Sequence, residues 1–384
     1  MTCALEFQDV HFAYQDGPES LRGISIAVKK GEKVALVGPN GAGKTTLLLM
    51  CNGTLRPTKG RVLLDGEALA YDTRSLREVR RKVGLVFQNS DAQLFAPTVW
   101  QDVAFGPVNL GMPADRVKSV VARALHDVGL VGFEKRPPHH LSGGEKKRVA
   151  IAGVLAMDPE VIVFDEPTSS LDPATAEEVM DLLDEVNHSG RTVILSTHDV
   201  ELAYRWADTV VLMDQGEVLS TGTAEALFSD VALLHRARLK PPVVMDLFRE
   251  LAGRGVLSRE APPGNALAFT DLVERQVLGR VSPDGHGRIY IADVGDGAAD
   301  RVKTLLSSGT VERVGAMGTK AKRFAGDEKI ALDFTYGVID KCLLRAVNGE
   351  NSLVLTSGGM VEHTVGRIAA YMTESGRQIE VCRM

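Results

Sequence analysis

The chain has 384 residues, too many for one typical domain, and this length indicates two or three domains. With 44% hydrophobic, 24% charged and 5% aromatic residues, it has the composition of a globular protein with ample material for a core. The formal net charge of -6 argues against a nucleic-acid-binding protein, and the four cysteines, which lack C-x-x-C spacing, argue against a disulfide framework and a zinc site.

The cysteines and the apolar segments also indicate where the protein works. Scattered cysteines are typical of a reducing cytosol. The first residues have neither the basic nor the apolar region of a signal peptide, and no apolar run approaches the ~18–20 residues that span a bilayer. We therefore expect a cytosolic protein, and any membrane partner has to be a separate chain.

The first predicted elements are strands that lead into a phosphate-binding loop. Apolar residues alternate over residues 5–14 and 24–28, and an apolar run at residues 34–37 is typical of a buried strand. Residues 38–46 then read Gly-Pro-Asn-Gly-Ala-Gly-Lys-Thr-Thr, which fits the P-loop pattern G-x-x-x-x-G-K-[ST] at every position. The glycines let backbone N–H groups surround a phosphate, Lys44 adds a positive charge, and Thr45 offers its hydroxyl to Mg²⁺. The predicted nucleotide-binding residues of this region are Tyr14, Gly38, Asn40, Gly41, Gly43, Lys44, Thr45 and Thr46.

Two side chains near the P-loop have more than one interpretation. Tyr14 ends the first predicted strand, where its ring either stacks on an adenine or packs at the edge of a sheet. Gln88 follows a predicted buried strand at residues 83–87, and the carboxyl ends of such strands are where open α/β sheets bind ligands. Gln88 either reaches Mg²⁺ or the attacking water, or it caps the turn that follows.

A second glycine-rich loop comes after a helical region. Residues 100–132 have helical periodicity, which we expect Gly106 and Pro107 to interrupt. Residues 141–145 read Leu-Ser-Gly-Gly-Glu and open a predicted helix at residues 146–157. A loop of this kind at a helix N-terminus is a second potential phosphate site.

Acidic residues and a histidine follow two later predicted strands. The apolar run at residues 161–164 ends in Asp165 and Glu166, and the run at residues 192–196 leads to His198. A carboxylate delivered beside a P-loop is a typical Mg²⁺ ligand, so Asp165 is predicted to take that role. Glu166 is predicted to polarise the attacking water as general base. The alternatives are a solvated acidic turn and, for His198, a helix cap.

Taken together and in this order, these motifs resemble the nucleotide-binding subunit of an ABC transporter, across roughly residues 4–230. The resemblance implies a P-loop NTPase of ABC type, an α/β fold with a RecA-like core, an antiparallel β subdomain and a helical signature subdomain. It implies ATP and Mg²⁺ as cofactors, with Lys44, Gln88, Glu166 and His198 catalytic and with Thr45, Gln88 and Asp165 at the Mg²⁺. In this family two domains pair head to tail, so a second copy or a paralogue has to close the site. The residues that the resemblance assigns to that interface are the signature Ser142, Gly143, Gly144 and Glu145 and the D-loop Ser170, Leu171 and Asp172.

A narrower resemblance follows Gln88. Residues 87–99 read Phe-Gln-Asn-Ser-Asp-Ala-Gln-Leu-Phe-Ala-Pro-Thr-Val, and residues 102–107 read Asp-Val-Ala-Phe-Gly-Pro. Both are similar to ATPases of energy-coupling-factor importers, especially the cobalt and nickel type, although family patterns often have other residues at Ser90 and Ala92. In that family this segment meets a transmembrane scaffold, and a further membrane subunit binds the substrate. Leu94 and Phe95 are predicted to dock there; the alternative is that they are tucked into their own domain.

The resemblance implies an ATPase that powers uptake of cobalt or nickel from the cytoplasmic face of the cell membrane. An importer of a vitamin or another micronutrient is the alternative. A soluble ABC ATPase in DNA repair or translation is a third possibility, but the chain has neither a long coiled coil between P-loop and signature nor a second P-loop.

The rest of the chain predicts an accessory domain. We expect an ABC ATPase domain at residues 1–235, a helical extension and linker at 236–264, and a small α/β domain with a regulatory role at 265–384. Residues 356–359, Thr-Ser-Gly-Gly, lie between a predicted strand and a predicted helix. They either hold an anion, with a basic loop at residues 320–323 as counter-charge, or form an ordinary turn.

Overall fold

The computed structural model describes residues 3–15, 17–258, 262–277, 287–295, 297–335 and 337–384. The predicted extension and linker at residues 236–264 includes residues 259–261, which lie outside the described residues. By internal packing the chain forms two compact units, one of Met1–Asp172 with Gly190–Asp246 and the other of Pro173–Ser189 with Leu247–Met384. This division falls inside the predicted extension at residues 236–264, and the predicted boundaries after residues 235 and 264 stay predictions.

The described residues form strands and helices that alternate along most of the chain. The strands are β1 (Cys3–Ala13), β2 (Glu19–Lys29), β3 (Lys33–Val37), β4 (Lys59–Leu64), β5 (Glu67–Ala68), β6 (Val83–Val86), β7 (Val161–Asp165), β8 (Thr192–Thr197), β9 (Thr209–Asp214), β10 (Glu217–Gly222), β11 (Arg288–Asp293), β12 (Arg313–Ala316), β13 (Ser352–Thr356) and β14 (Glu380–Arg383). The helices are α1 (Lys44–Cys51), α2 (Thr73–Lys82), α3 (Ser90–Gln93), α4 (Val99–Asn109), α5 (Ala114–Asp127), α6 (Gly143–Leu155), α7 (Pro173–His188), α8 (Val200–Trp206), α9 (Ala224–Ser229), α10 (Val231–Arg236), α11 (Val243–Gly253), α12 (Ala266–Val277), α13 (Ala298–Ser307), α14 (Thr319–Asp327), α15 (Val338–Val347) and α16 (Gly359–Ser375). In this part of the chain every helix is too short or too polar to cross a bilayer.

The first unit contains an antiparallel sheet and a larger, mostly parallel one. The antiparallel sheet has the strand order β2-β1-β4-β5. The alternating side chains of β1, such as Leu5 and Phe7, are buried in the core that this sheet shares with α1. The larger sheet has the order β10-β9-β3-β8-β7-β6, and only β10 runs antiparallel to its neighbour.

The order of the larger sheet decides where the motifs meet. Strands β3, β8, β7 and β6 are consecutive and parallel, so their carboxyl ends lie along one edge. The P-loop follows β3, His198 follows β8, Glu166 follows β7, and Gln88 follows β6. The predicted P-loop NTPase fold of ABC type is therefore confirmed, and its motifs share one sheet edge.

The predicted helix break at Gly106 and Pro107 was wrong. Helix α4 continues through Pro107 and ends two residues later at Asn109. A proline in the last turn removes only one backbone hydrogen bond. A Cβ on Gly106 would lie 2.6 Å from the sulfur of Met157, so the backbone of α4 is in close contact with the Met157 side chain at this point. This packing favours continuation of the helix through Pro107.

The second unit is built on a parallel sheet with the strand order β12-β13-β11-β14. Apolar residues cover both of its faces, because alternate residues of β13 belong to different core clusters. Val354 packs in the cluster that includes α15 and α16, while Leu353 and Leu355 pack in the cluster that includes α14. The predicted small α/β domain has this sheet as its centre.

The predicted basic loop at residues 320–323 is instead the first turn of helix α14. Within the second unit this turn is bound to α7. The ammonium of Lys322 lies 2.7 Å from the carboxylate of Asp181, and Glu185 accepts a hydrogen bond of 2.6 Å from the backbone N–H of Thr319. Lys322 therefore has an acidic partner on α7 and is not a spare counter-charge for an anion at residues 356–359.

Helix α16 also contacts α7. The rings of His188 and His363 lie edge to face with their centroids 4.2 Å apart. A Cβ on Gly359, at the start of α16, would lie 3.3 Å from the carbonyl oxygen of His188. Two helices of the C-terminal part thus pack against the helix that begins directly after Asp172.

Candidate nucleotide site

The P-loop has a backbone that only glycine permits at two points. A Cβ on Gly38 would lie 2.1 Å from the carbonyl oxygen of Met213, which leaves no room for a side chain. Gly43 has φ 98° at the N-cap of α1, in the left-handed region, and a Cβ there would lie 2.8 Å from the Ser20 carbonyl oxygen. The loop is therefore closely packed and directs the N-terminus of α1 toward its open side.

Lys44 is a buried cation held by the loop itself. Its Nζ donates to the carbonyl oxygens of Gly38 at 2.7 Å and Pro39 at 3.1 Å, and lies 3.8 Å from the Glu166 carboxylate. Burial lowers the pKa of Lys44, and the negative charges of Glu166 and Asp165 oppose that shift. The positive charge of Lys44 therefore lies beside Glu166 and Asp165, and an anionic ligand bound there would stabilise the charged form of Lys44 further.

Thr45 and Asp165 face each other across the loop. The Thr45 hydroxyl lies 3.1 Å and 2.9 Å from the two carboxylate oxygens of Asp165. Asp165 is buried and also accepts a hydrogen bond of 2.6 Å from the hydroxyl of Ser196. A carboxylate beside a hydroxyl is a donor set of hard oxygens, which suits Mg²⁺ with water and phosphate as its other ligands. These residues fit the predicted metal.

Glu166 and His198 form a hydrogen-bonded pair. Nδ1 of His198 lies 2.9 Å from the Glu166 carboxylate, and Ser196 accepts a hydrogen bond from the Glu166 backbone N–H at 3.0 Å. Glu166 has φ 44°, a left-handed conformation that is strained for a residue with a side chain. It is buried, while the His198 side chain is 60% exposed, so the pair leads from the interior to the surface.

Tyr14 lies beside the P-loop helix with its ring half-exposed. Its hydroxyl is 3.3 Å from the hydroxyl of Thr46, and its ring packs edge to face on Phe12 with the centroids 4.9 Å apart. Phe12 is buried and supports one edge of the ring. The exposed part of Tyr14 is available for stacking, as one of the two interpretations requires.

The signature loop is built as a helix N-terminus. Ser142 and Glu145 form a capping box, in which the Ser142 hydroxyl accepts from the Glu145 N–H and the Glu145 carboxylate accepts from the Ser142 N–H. Ser142 and Gly143 are exposed, whereas Gly144 is buried. The capping box leaves Ser142 and Gly143 at the surface, at the N-terminus of α6.

The D-loop lies next to the signature. A Cβ on Gly143 would lie 3.9 Å from the side chain of Leu171. Ser170 and Asp172 are exposed, and Ser170 has φ 62°. The predicted interface residues Ser142, Gly143, Ser170 and Asp172 therefore have surface available to a partner.

The structure adds two residues that motif analysis missed. Ser196 is fully buried and bonds both Asp165 and the backbone of Glu166, and its only signal in the sequence was a polar residue inside a buried strand. Lys147 is buried on α6, and its Nζ donates to the carbonyl oxygens of Phe87 and Gln88. The Gln88 side chain itself is exposed, so its backbone is fixed while its amide is accessible.

Comparison with known proteins gives consistent matches. The family model described as ABC transporter matches residues 21–169. An energy-coupling factor transporter ATP-binding protein of Methanospirillum hungatei is 50% identical over 379 residues, covering 98% of this chain and 95% of that protein. One from Methanocaldococcus jannaschii is 57% identical over 247 residues, covering 64% of this chain and 88% of that protein.

Solved structures match more than half of the chain. A Clostridium perfringens protein, cbiO1, described as part of the ABC transporter complex cbiONQ, is 38% identical with a TM-score of 0.57, covering 65% of this chain and 100% of that one. A dimeric ATP-binding cassette bound to ADP and Pi in a post-hydrolysis state is 31% identical with a TM-score of 0.53, covering 57% of this chain and 98% of that one.

Proposed function

This chain belongs to the family of energy-coupling factor transporter ATP-binding proteins, and from that membership we propose that it powers uptake of cobalt or nickel ions through separate transmembrane subunits. It is an ABC ATPase. The observation that carries the catalytic part of the proposal is the cluster of Lys44, Thr45, Asp165, Glu166 and His198 along the carboxyl edge of one parallel sheet. The choice of cobalt or nickel as the transported solute is the part of the proposal that goes beyond family membership.

In this proposal each residue of the cluster has one task. Lys44 and the P-loop N–H groups hold the β- and γ-phosphates, and Glu166 accepts a proton from the attacking water. The hydrogen bond from His198 orients the Glu166 carboxylate. Thr45 and Asp165 would hold Mg²⁺, with Gln88 as a further ligand, and a bound Mg²⁺ supplies charge neutralisation at the phosphates.

The catalytic site is proposed to close between two chains. Gly143 of the signature loop lies beside Leu171 of the D-loop, and Ser142, Gly143, Ser170 and Asp172 are exposed. A head-to-tail pair brings the signature of each chain over the nucleotide of the other, with the D-loops at the interface. The partner is a second copy of this chain or a paralogue.

An exposed apolar patch supports docking to a membrane scaffold. Phe95, Phe105 and Val108 are 64%, 49% and 57% exposed, and the two phenylalanine rings pack edge to face at 4.7 Å. Leu94 is only partly exposed, so Phe95 carries more of the predicted docking surface than Leu94 does. The buried carboxylate of Asp102 accepts hydrogen bonds from the N–H groups of Phe95 and Ala96, which holds the loop in this position. Asp102 thus holds the apolar patch toward solvent, as expected for a surface that binds another protein and not for part of a core.

Substituting Phe95 with serine is expected to uncouple transport from ATP hydrolysis. The change removes apolar contact area at the patch and leaves the phosphate site intact. Loss of a central interface residue costs about 2 kcal/mol of binding, so uptake should fall by about thirtyfold. Uptake of labelled cobalt or nickel is measured in cells that also express the membrane subunits, together with the ATPase activity of the purified chain. Val231→Ser, an exposed apolar residue on α10, is the control. Unimpaired uptake by Phe95→Ser would remove the docking proposal.

The same cells test the proposed solute. Cobalt or nickel uptake that depends on Glu166 supports the metal assignment. Dependence of vitamin uptake on Glu166, with metal uptake unaffected, would replace it with the micronutrient alternative. Co-purification of the membrane subunits followed by metal analysis provides an independent measurement.

We further propose that the C-terminal part regulates the ATPase through α7. Helices α14 and α16 contact α7 through Asp181, Glu185 and His188, and α7 begins at the residue after Asp172 of the D-loop. Burial raises the pKa of Asp181 to about 6, and the attraction of Lys322 opposes this shift. Lys322 thus favours the charged form of a partly buried carboxylate, and in this proposal the position of α7 depends on the pair.

Replacing Lys322 with methionine is expected to lower kcat while leaving the KM for ATP unchanged. Asp181 loses its partner, α7 is held less firmly, and the D-loop loses part of its positioning at the interface. A coupling of about 0.5–2 kcal/mol corresponds to roughly twofold to thirtyfold in kcat. The control is Arg323→Met on the same turn, whose partner Asp327 is exposed. Identical kinetics for both variants and the wild type would show that the α7 contact has no part in the cycle.

A further inference from the structure

Lys147 is a buried cation that the motifs do not explain. Its side chain is 2% exposed, and its Nζ donates to the carbonyl oxygens of Phe87 at 3.0 Å and Gln88 at 2.8 Å. In the part of the chain that the structure describes, these carbonyls are its hydrogen-bond partners. Burying an ammonium against neutral acceptors is costly, so a lysine here stabilises the protein less than an apolar side chain of the same size would.

Lys147 joins two segments with different parts in the cycle. It lies in the first turns of α6, whose N-terminus is the signature Ser142–Glu145 capping box. The two residues that accept its hydrogen bonds, Phe87 and Gln88, directly follow strand β6. The preceding residue, Lys146, pairs with Asp91 at 2.6 Å. Two successive lysines of the signature helix thus hold both ends of residues 87–91.

We propose that Lys147 is a positioning residue for ATP hydrolysis: it fixes the backbone of Gln88 to the signature helix, so that signature engagement and Gln88 placement occur together. The inference rests on the proposed function, in which Gln88 reaches the Mg²⁺ or the attacking water. A rigid connection of this kind makes hydrolysis depend on closure of the partner chain. The two paired carbonyls and the buried ammonium give the connection a single geometry, which a mobile surface pair would not.

The test is Lys147→Met in the full chain, with steady-state ATPase kinetics and binding of a fluorescent ATP analogue. The methionine has a similar length but donates no hydrogen bond, so Gln88 is no longer held, and kcat should fall by about tenfold to a hundredfold. The KM for ATP and the affinity for the analogue should stay within about twofold, because the P-loop contacts are untouched. Lys118→Met is the matched control and should keep wild-type kinetics, because Lys118 is an exposed lysine of α5 that pairs with Asp115 of the same helix.

Two further variants separate positioning from simple stability. Lys147→Gln keeps a shorter neutral donor, so its kcat should fall between the wild type and Lys147→Met, and it replaces the methionine variant if that one does not fold. In a Gln88→Ala background, adding Lys147→Met should lower kcat by less than about twofold, because both changes act on the same group.

Some outcomes would overturn the inference. Wild-type kcat in Lys147→Met, or in Lys147→Gln where the methionine variant is unfolded, would do so. A second contradicting result is a kcat for the Gln88→Ala, Lys147→Met double variant that falls by the product of the two single losses. A third is a loss of ATP affinity in Lys147→Met that parallels a loss of melting temperature. If the wild type and Lys118→Met hydrolyse ATP while these outcomes occur, only the role of Lys147 fails. If the wild type does not hydrolyse ATP, the proposed function itself fails.

Discussion

Replacing Glu166 with glutamine is expected to abolish nearly all ATP hydrolysis while ATP binding remains. The carboxylate lies 2.9 Å from Nδ1 of His198 and 3.8 Å from Nζ of Lys44, beside the phosphate site. An amide has nearly the same shape but does not accept a proton from water, so the turnover should fall by ~10²–10⁴-fold. Removing a negative charge near the γ-phosphate position should leave ATP affinity equal or tighter.

The control is Glu160→Gln, at the residue directly before the strand that ends in Asp165. Glu160 is exposed and precedes β7, so its substitution removes one negative charge from the same element without touching the site. Single-turnover release of labelled phosphate and equilibrium binding of ATP are measured for both variants. Substantial turnover in Glu166→Gln, with normal activity in Glu160→Gln, would remove Glu166 as the general base.

The sheet and its motifs were predictable from the sequence for a clear physical reason. Buried parallel strands are short apolar runs, and each functional group follows such a run directly, as Gln88, Asp165 with Glu166, and His198 do. Since parallel strands share an edge, the position of each residue after its strand fixes the edge on which it lies. The P-loop pattern then identifies that edge as the phosphate side.

Other features depend on contacts between residues far apart in the chain, and the sequence pattern does not contain them. Helix α4 passes through Pro107 because Gly106 packs on Met157. The basic residues at 320–323 are helical, and Lys322 is turned toward Asp181 of a distant helix. Ser196 forms hydrogen bonds to Asp165 and Glu166 at the end of the neighbouring strand, and Lys147 forms hydrogen bonds to the segment that follows β6. A polar residue in a buried element was the one available signal for both, and it does not identify the partner.

The second large effect concerns closure of the site by another chain. Lys44→Ala removes two hydrogen bonds within the loop and the cation at the phosphates, so ATP affinity should fall by about a hundredfold, the equivalent of one or two charge-assisted hydrogen bonds. Ser142→Arg places a bulky cation on the exposed signature, which should block the partner's nucleotide while leaving the variant's own P-loop intact. We expect each variant alone to be inactive, for different reasons.

Mixing the two inactive variants is the most direct test of the claim that one chain is only part of an ATP site. In a hybrid pair, the intact P-loop of the Ser142→Arg chain faces the intact signature of the Lys44→Ala chain, while the other site carries both defects. Random re-pairing makes half of the dimers hybrids with one working site of two, so about a quarter of the wild-type activity should return. The measurement is phosphate release from an equimolar mixture after co-refolding, with each variant alone as the reference and melting curves to check folding. Activity no greater than the mean of the separate variants would contradict the account.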